Sequence, residues 1–479
     1  MNDFSSLSPL LILIGGALVI LLLEAFGRWS SRLIHFILAL GSLLSSLVMA
    51  LTFWGKKVTY FSGAYILDDM AILMIVLFCL AGVLIIFISL TYMIEHGFNR
   101  GEYLALLLLA TTGLIIMTSS VDLIVIFLGL ETLSLASYVL AGLKKEDEKS
   151  SEAAIKYFLL GSLASAFLVL GLAFIFIQSQ SFNLKEIISN ISKGADNSII
   201  FLIGLSLIIV GFGFKVALVP FHMWTPDVYQ GAPTPITAFF SVAPKAAGFF
   251  VLFRLVSPFF EPIYLRQNLK IILFLLSSLT MIVANLVALR QRNVKRLLAY
   301  SSIAHAGYLS LALLSQDASG LIFYLIAYLF MNIGAFAILI ALSPNGREFH
   351  DLDDFNGLAS RAPWLAACMS VFLISLAGFP PTAGFLAKFY IFSNAIKQGY
   401  VVLVIIAVLT SLISVYYYLR VIVHMYMSKE LPPQAIRINS DFLLLLIIFF
   451  CVYAVLQLGL FPGQVINFIQ RASSSSPFL

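Results

Sequence analysis

The chain has 479 residues, 61% of them apolar and only 11% charged. Water-soluble domains carry about 25% charged residues, so the composition defines an all-α, polytopic membrane protein and leaves no room for a soluble domain between its apolar stretches. The net charge of +5 is spread over many short loops, which excludes a nucleic-acid footprint.

Asp3 and the absence of any Lys or Arg before Leu23 argue against a cleaved signal peptide, so the first apolar run reads as the first membrane helix. About 20 apolar residues cross the hydrocarbon, and by that measure the chain holds about fourteen spans. In order they are residues 8–24, 32–54, 70–93, 102–119, 121–143, 152–178, 197–220, 234–258, 269–289, 297–314, 318–342, 363–397, 399–425 and 441–460. The long polar segments are Lys144–Glu152, Ser343–Arg361 and Ser428–Asp441. Loops after odd-numbered spans carry more basic residues, among them Arg28, Arg100, Lys144, Lys145, Arg290, Arg296, Arg347, Lys429 and Arg437, than loops after even-numbered ones, which include Lys56, Lys57, Lys185 and Lys193. The odd loops are therefore expected on the cytoplasmic side, with both termini on the opposite, periplasmic side.

Two spans read as broken. The seventh runs into Pro220, Pro226, Gly231, Pro233 and Pro235, and the twelfth carries Gly378-Phe379-Pro380-Pro381 near its middle. Proline removes a backbone donor and clashes with the preceding turn. At membrane depth the freed carbonyls need protein or water partners, and such broken helices are common at transporter ion sites. A simple kink in a packed helix is the competing reading. Breaks in spans 7 and 12 suggest two five-helix units, residues 102–260 and 261–427, after three N-terminal helices in 1–101 and before a last helix and tail in 428–479. An odd number of helices per unit turns the second upside down, an inverted repeat.

Four ionisable side chains lie well inside apolar spans: Glu131, Lys215, Lys245 and Lys388. A charge at the centre of a membrane helix costs about 2.5–3.5 kcal/mol on insertion scales, so a chain that keeps such residues is expected to use them. Ser134 and Tyr138 follow Glu131 on one helical face. Alone in lipid the carboxyl would be protonated; beside an ammonium it would ionise. Lys215 lies just before the first break, and Lys245 is on the adjacent span. Buried lysines can titrate near neutrality, so Glu131 and Lys215 are read as a pair of switchable separation, with Lys245 receiving the proton that Lys215 releases. A structural ion pair or a snorkelling lysine is the bland alternative.

Lys156 sits near the polar end of its span, where snorkelling and function both fit. His305 shares a stripe with Ser301 and Tyr308, and Tyr324, Tyr328 and Asn332 form another at spacing four. These lines fit a hydrated path from Lys245 to Lys388, the last station before exit, or interhelical hydrogen bonds alone. Arg420, near a helix end, reads as an anchor at the interface.

The six histidines are scattered without ligand spacing, so no metal site is expected. Cys79, Cys368 and Cys451 are too few for a four-thiolate cluster. No dinucleotide fingerprint and no phosphate loop occurs, so no cofactor is expected in this chain.

PFHMWTPDVYQGAPTPITAFFSVAPKAAGF at 220–249, GLETLSLASYVLAGL at 129–143, NVKRLLAYSSIAHAGY at 293–308 and GFPPTAGFLAKFYIF at 378–392 resemble the antiporter-like membrane subunits of respiratory complex I, the bacterial NADH:quinone oxidoreductase. The WTPDVYQGAP run resembles the N-type subunit of that family. The resemblance implies a fourteen-helix fold with inverted repeats and a bacterial inner-membrane subunit that translocates protons. It implies partner subunits in the membrane, and flavin, iron–sulfur clusters and quinone held by partners. It also implies roles: Glu131 resembles the family's fifth-helix glutamate, Lys215 its seventh-helix lysine, Lys245 the connecting lysine of helix eight and Lys388 the twelfth-helix lysine. Lys156 matches a sixth-helix lysine and His305 a tenth-helix histidine.

A subunit of a multi-subunit cation/proton antiporter is the alternative function, weakened because Asp122 falls at a helix start and Glu131 is the sole mid-span carboxylate. A scaffold whose buried charges only hold helices together is the third.

Overall fold

The structure, a computed structural model, describes residues 4–26, 32–97, 101–192, 199–343, 348–428 and 441–475. The expected start of the seventh span at 197 and the loop cations Arg28, Arg100, Lys193, Arg347, Lys429 and Arg437 lie outside them.

In chain order the elements are α1 (Ser8–Phe26), α2 (Arg32–Leu51), β1 (Val58–Tyr60), β2 (Tyr65–Leu67), α3 (Asp69–Glu95), α4 (Gly101–Thr118), α5 (Leu123–Ala141), α6 (Glu148–Ser179), α7 (Leu184–Ser192), α8 (Ile199–Val216), α9 (Trp224–Gly231), α10 (Thr234–Val256), α11 (Ile263–Ala288), α12 (Val294–Ser315), α13 (Ala318–Ala341), α14 (Leu358–Arg361), α15 (Pro363–Ala377), α16 (Ala383–Lys397), α17 (Val401–Met427), α18 (Phe442–Leu460) and α19 (Gly463–Ser475). Among the described residues, 13 helices are long and apolar enough to cross a membrane. The remaining expected span, the twelfth, is divided into α15 and α16. The expected all-helical architecture holds apart from β1 and β2, a short antiparallel hairpin pairing Val58 with Leu67 and Tyr60 with Tyr65.

Helix starts follow local chemistry. Asp122 is not a mid-membrane carboxylate: its side chain accepts from the backbone N–H groups of Ile124 and Val125 and caps α5. Asp68, Asn293, Asp317 and Asp441 cap α3, α12, α13 and α18 in the same way. Each satisfies orphan donors of a first turn.

Connections of one parity gather on one face. The hairpin meets the α4–α5 link, where Ile66 N–H donates to Ser119 O at 2.7 Å, and the start of α7 meets the same link, where Leu184 N–H donates to Val121 O at 2.9 Å. At the other end, Val294 N–H donates to His350 O at 2.6 Å, and Lys144 meets Glu348. This separation is what alternating crossings produce.

The core sits around α10, α12 and α13, which are buried along nearly their whole length, whereas α1, α2 and α6 expose one side. Helices apolar all round belong inside, and α10 carries the small-residue run SVAPKAAGF that lets neighbours approach. Counting spans from α4, the fourth is followed by the break after α8, and counting from α11, the fourth is the one divided into α15 and α16.

Candidate functional site

The two breaks form where the prolines stand, and their freed carbonyls find partners. α8 ends at Val216, Ala217 takes a left-handed φ of 64°, and the Trp224 indole N–H, on the far side of the break, donates to Phe214 O at 2.9 Å. α15 ends at Gly378, whose φ of 92° suits glycine. There Lys388, from α16, donates to the carbonyls of Leu376 and Ala377 at 3.0 and 2.8 Å and to the Ser411 hydroxyl at 2.8 Å. Its ammonium thus lies at the C-terminal end of a half-helix, the end that favours positive charge.

Lys215 is in the last turn of α8 and is 4% exposed. It donates to Ser134 on α5 at 3.0 Å and to the Tyr157 hydroxyl on α6 at 3.3 Å. Glu131, one turn before Ser134, accepts from Ser165 of α6. Among the described residues Glu131 and Lys215 form no direct ion pair within 4.0 Å. A small cleft lined by Ser134, Tyr138, Ser165 and Lys215 lies in this region.

Lys245, 2% exposed on α10, donates to the carbonyl of Ser302 at 2.5 Å and also to its hydroxyl. The Tyr229 hydroxyl lies 3.4 Å from that of Ser302, and the Lys245 ammonium is 5.9 Å from the Tyr328 ring centre. Tyr328 meets His305 at 5.1 Å between ring centres. His305, 1% exposed, shares a 2.6 Å hydrogen bond with the Tyr324 hydroxyl through Nδ1 and a 3.4 Å one with Tyr418 through Nε2. Tyr418 in turn bonds Ser301. Tyr308 closes the line: its ring centre is 5.7 Å from that of His305 and 5.0 Å from the Lys388 ammonium. The structure therefore brings Lys245, His305 and Lys388 into one chain of buried polar side chains.

Lys156 stands apart. It is 41% exposed and paired with Glu152 at 2.6 Å and Asp227 at 2.7 Å, and Asp227 also holds Arg296 at 2.7 Å. Arg420 turns inward and donates to the Leu289 carbonyl at 2.9 Å, closing the end of α11. A fully buried pair, Arg254 with Asp68 at 2.8 Å, is not among the residues expected from the sequence, although a cation inside the expected 234–258 span is a signal. Glu348, which meets Lys144 at 2.6 Å and His350 at 2.9 Å, is likewise not among them; nothing in a polar loop sequence marks such a convergence. Among the described residues no group of three or more His, Cys, Asp or Glu could hold a metal ion.

Fold and buried line together define an antiporter-type polytopic membrane protein. Residues 120–414 match the family model for the membrane region of NADH:quinone oxidoreductase and Mrp antiporters. The chain belongs to the NADH-quinone oxidoreductase subunit N family. It is 45% identical over 429 residues to a subunit N from Trichlorobacter lovleyi, covering 88% of this chain and 87% of that one, and 40% identical over 482 residues to one from Chloroflexus aggregans, covering 98% and 97%. A chain of respiratory complex I from Thermus thermophilus superposes with a TM-score of 0.81 at 34% identity, covering 96% of this chain and 98% of that one. A chain of the Mrp complex from a Dietzia species shares the fold, with a TM-score of 0.85 at 19% identity over 98% and 97%.

Proposed function

We propose that this chain is the proton-translocating membrane subunit of a redox-driven NADH:quinone oxidoreductase, and that Glu131, Lys215, Lys245 and Lys388 carry protons through it with His305 between the last two. The observation that carries this reading is the buried line Lys245–Tyr328–His305–Tyr308–Lys388, which runs from one five-span block into the other. A scaffold does not need lysines whose hydrogen bonds go to hydroxyls and broken-helix carbonyls rather than to carboxylates. Lys215 and Glu131 stand apart on neighbouring hydroxyls, as the separated state of a switchable pair would. Lys156 holds Asp227 at the rim and acts as an anchor beside the path.

The chain has no redox chemistry of its own. Its driving force comes from partner subunits that hold flavin, iron–sulfur clusters and quinone, and its exposed apolar faces meet lipid and other membrane subunits in the bacterial inner membrane. The basic odd-numbered loops face the cytoplasm and both termini the periplasm. Residues 102–260 and 261–427 act as two inverted halves behind the helices of 1–101, with 428–479 closing the chain.

The test is Lys215→Ala and Lys388→Ala in the assembled enzyme, recovered with its flavin- and iron–sulfur-bearing subunits. Normal recovery with reduced turnover and proton transfer is expected. Loss of assembly and pumping in strict parallel would point to a scaffold, and recovery without redox subunits to an antiporter.

A further inference from the structure

Glu348, in the link after α13, gathers side chains from distant parts of the chain. It is bonded by Lys144 from the α5–α6 link at 2.6 Å, by the Tyr92 hydroxyl of α3, by Thr234 Oγ1 at the start of α10 at 3.4 Å and by His350 at 2.9 Å, and Lys295 in the first turn of α12 lies 3.8 Å away. One carboxylate thus joins the N-terminal helices and both five-span blocks. Lys295 is fully buried and also donates to the Ala232 carbonyl, between α9 and α10, at 2.8 Å.

The cluster has an open side and a closed side. Lys144 and His96, whose ring stacks 4.0 Å from that of Tyr92, also line an open polar cavity of about 770 Å³ together with Glu95, Glu102 and Asp147. On the closed side, Lys295 precedes Ser302 by seven residues on α12, two helical turns on the same face and about 10 Å along the axis. Ser302 is the residue that holds Lys245.

We propose that Glu348, with Lys144, His350 and Lys295, is the loop-side station that takes protons from this open cavity and passes them toward Ser302 and Lys245. This rests on the relay reading of Lys245. The step moves one proton: Lys295 first gives its own proton inward to a deprotonated Lys245 amine, and the Glu348 carboxylate, having accepted a proton from the cavity, then releases it to the neutral Lys295 amine. Burial alone would raise the Glu348 carboxyl, but the Lys295 ammonium, His350 and Lys144 hold it well below the usual carboxylate range. A proton landing there weakens several contacts at once. Among the described residues the groups facing the cluster are Tyr92 and His96 from α3, Lys144 and Asp147 from the α5–α6 link, Thr234 from α10, Lys295 from α12, His350, and Asp354 beside His350.

The experiment compares Glu348→Gln, Glu348→Asp and Lys245→Met in the assembled enzyme in sealed vesicles, reading recovery, NADH:quinone turnover and proton uptake from about pH 6 to pH 8.5. Glu348→Gln is expected to assemble and to lose turnover by ~100-fold at the alkaline end, at the low end of what a proton-transfer group supplies. The loss should shrink toward pH 6, where protons are plentiful, and Glu348→Asp should recover most of it. A wild-type pH profile in Glu348→Gln overturns the proposal, as does a loss that is equal at every pH and tracks lost assembly, which marks Glu348 as a tie between blocks. Lys245→Met separates the two readings: if it pumps normally the relay itself fails, whereas a flat Glu348→Gln profile with a defective Lys245→Met removes only the uptake station.

Discussion

Lys215 donates to Ser134 at 3.0 Å and not to Glu131, which lies one turn earlier on the same helix and accepts from Ser165 on the neighbouring one. Carboxylate and ammonium each rest on a hydroxyl, beside a cleft of about 10 Å³, the room of about one water molecule.

That arrangement makes Glu131→Gln informative, because it keeps the hydrogen bond from Ser165 and removes only the charge. Turnover in the assembled enzyme should fall by ~10-fold, a barrier increase of about 1.4 kcal/mol. Unchanged activity at every pH would show that ionisation of Glu131 plays no part.

At the second break a single lysine satisfies two carbonyls. Lys388→Met should leave Leu376 O without this donor and Ala377 O with only the longer bond from the Ser411 hydroxyl at 3.4 Å, at about 1–3 kcal/mol for a buried unmet group, so thermal stability of the purified complex and proton transfer should both drop. Lys245→Met removes a contact to Ser302, whose carbonyl also belongs to the regular helix α12, and should cost activity with less effect on stability. Equal destabilisation by the two substitutions would count against this distinction.

The first break is served by an indole instead. Trp224→Phe retains the stacking on Tyr157, whose rings lie 4.5 Å apart, but loses the N–H that reaches Phe214 O. Phe214 O keeps the Ala217 N–H at 3.1 Å, so a cost of about 0.5–1.5 kcal/mol is expected, read as a lower melting temperature. Activity should fall too, since Phe214 immediately precedes Lys215.

What the sequence disclosed and what it withheld divide by physics. The spans, both breaks and the buried lysines were visible, because hydropathy, proline and intramembrane charge are local signals. The line through Tyr328, His305 and Tyr308 was visible as stripes at helical spacing, but its order was not, since it depends on how α10, α12, α13 and α16 pack. Asp68 with Arg254 and Glu348 with Lys144 were invisible as pairs, because each joins residues far apart in the chain. Lys156 shows the limit in the other direction: its place on a span leaves snorkelling and function equally open, and its contacts with Glu152 and Asp227 are visible only in the fold.

The loop holding Glu348 should respond to acid. Glu348 is held below its ordinary range, so its contribution is present above about pH 4.3 and is lost as pH falls through its lowered value. Burial outweighs Glu348 at His350 and lowers that imidazole, so the folded form resists its protonation, and stability declines once pH drops below about 6.5. Both act in the same direction. Amide exchange around residues 350–355, corrected for intrinsic rate, should quicken from about pH 6.5 downward and stay constant from 7 to 8. His350→Asn should remove the step near pH 6.5. A loop that loosens on alkalinisation would contradict the assignment.

Arg254 and Asp68 are both about 1% exposed, joined at 2.8 and 3.0 Å, and the guanidinium also donates to Thr118 O at 2.9 Å. The pair fastens the end of α10 to the start of α3 and the end of α4, on the face away from Glu348. Removing one partner strands a buried charge, which costs about 3–5 kcal/mol. Arg254→Met alone should therefore abolish recovery of the assembled complex, and Asp68→Asn alone should damage it similarly, although its amide still caps α3. Combining Arg254→Met with Asp68→Asn leaves no stranded charge and should recover much of the assembly. Recovery by the double variant with normal proton transfer would identify the pair as a fastening. A double variant that assembles but fails to pump would instead place Arg254 on the proton path and overturn its role as a purely structural tie.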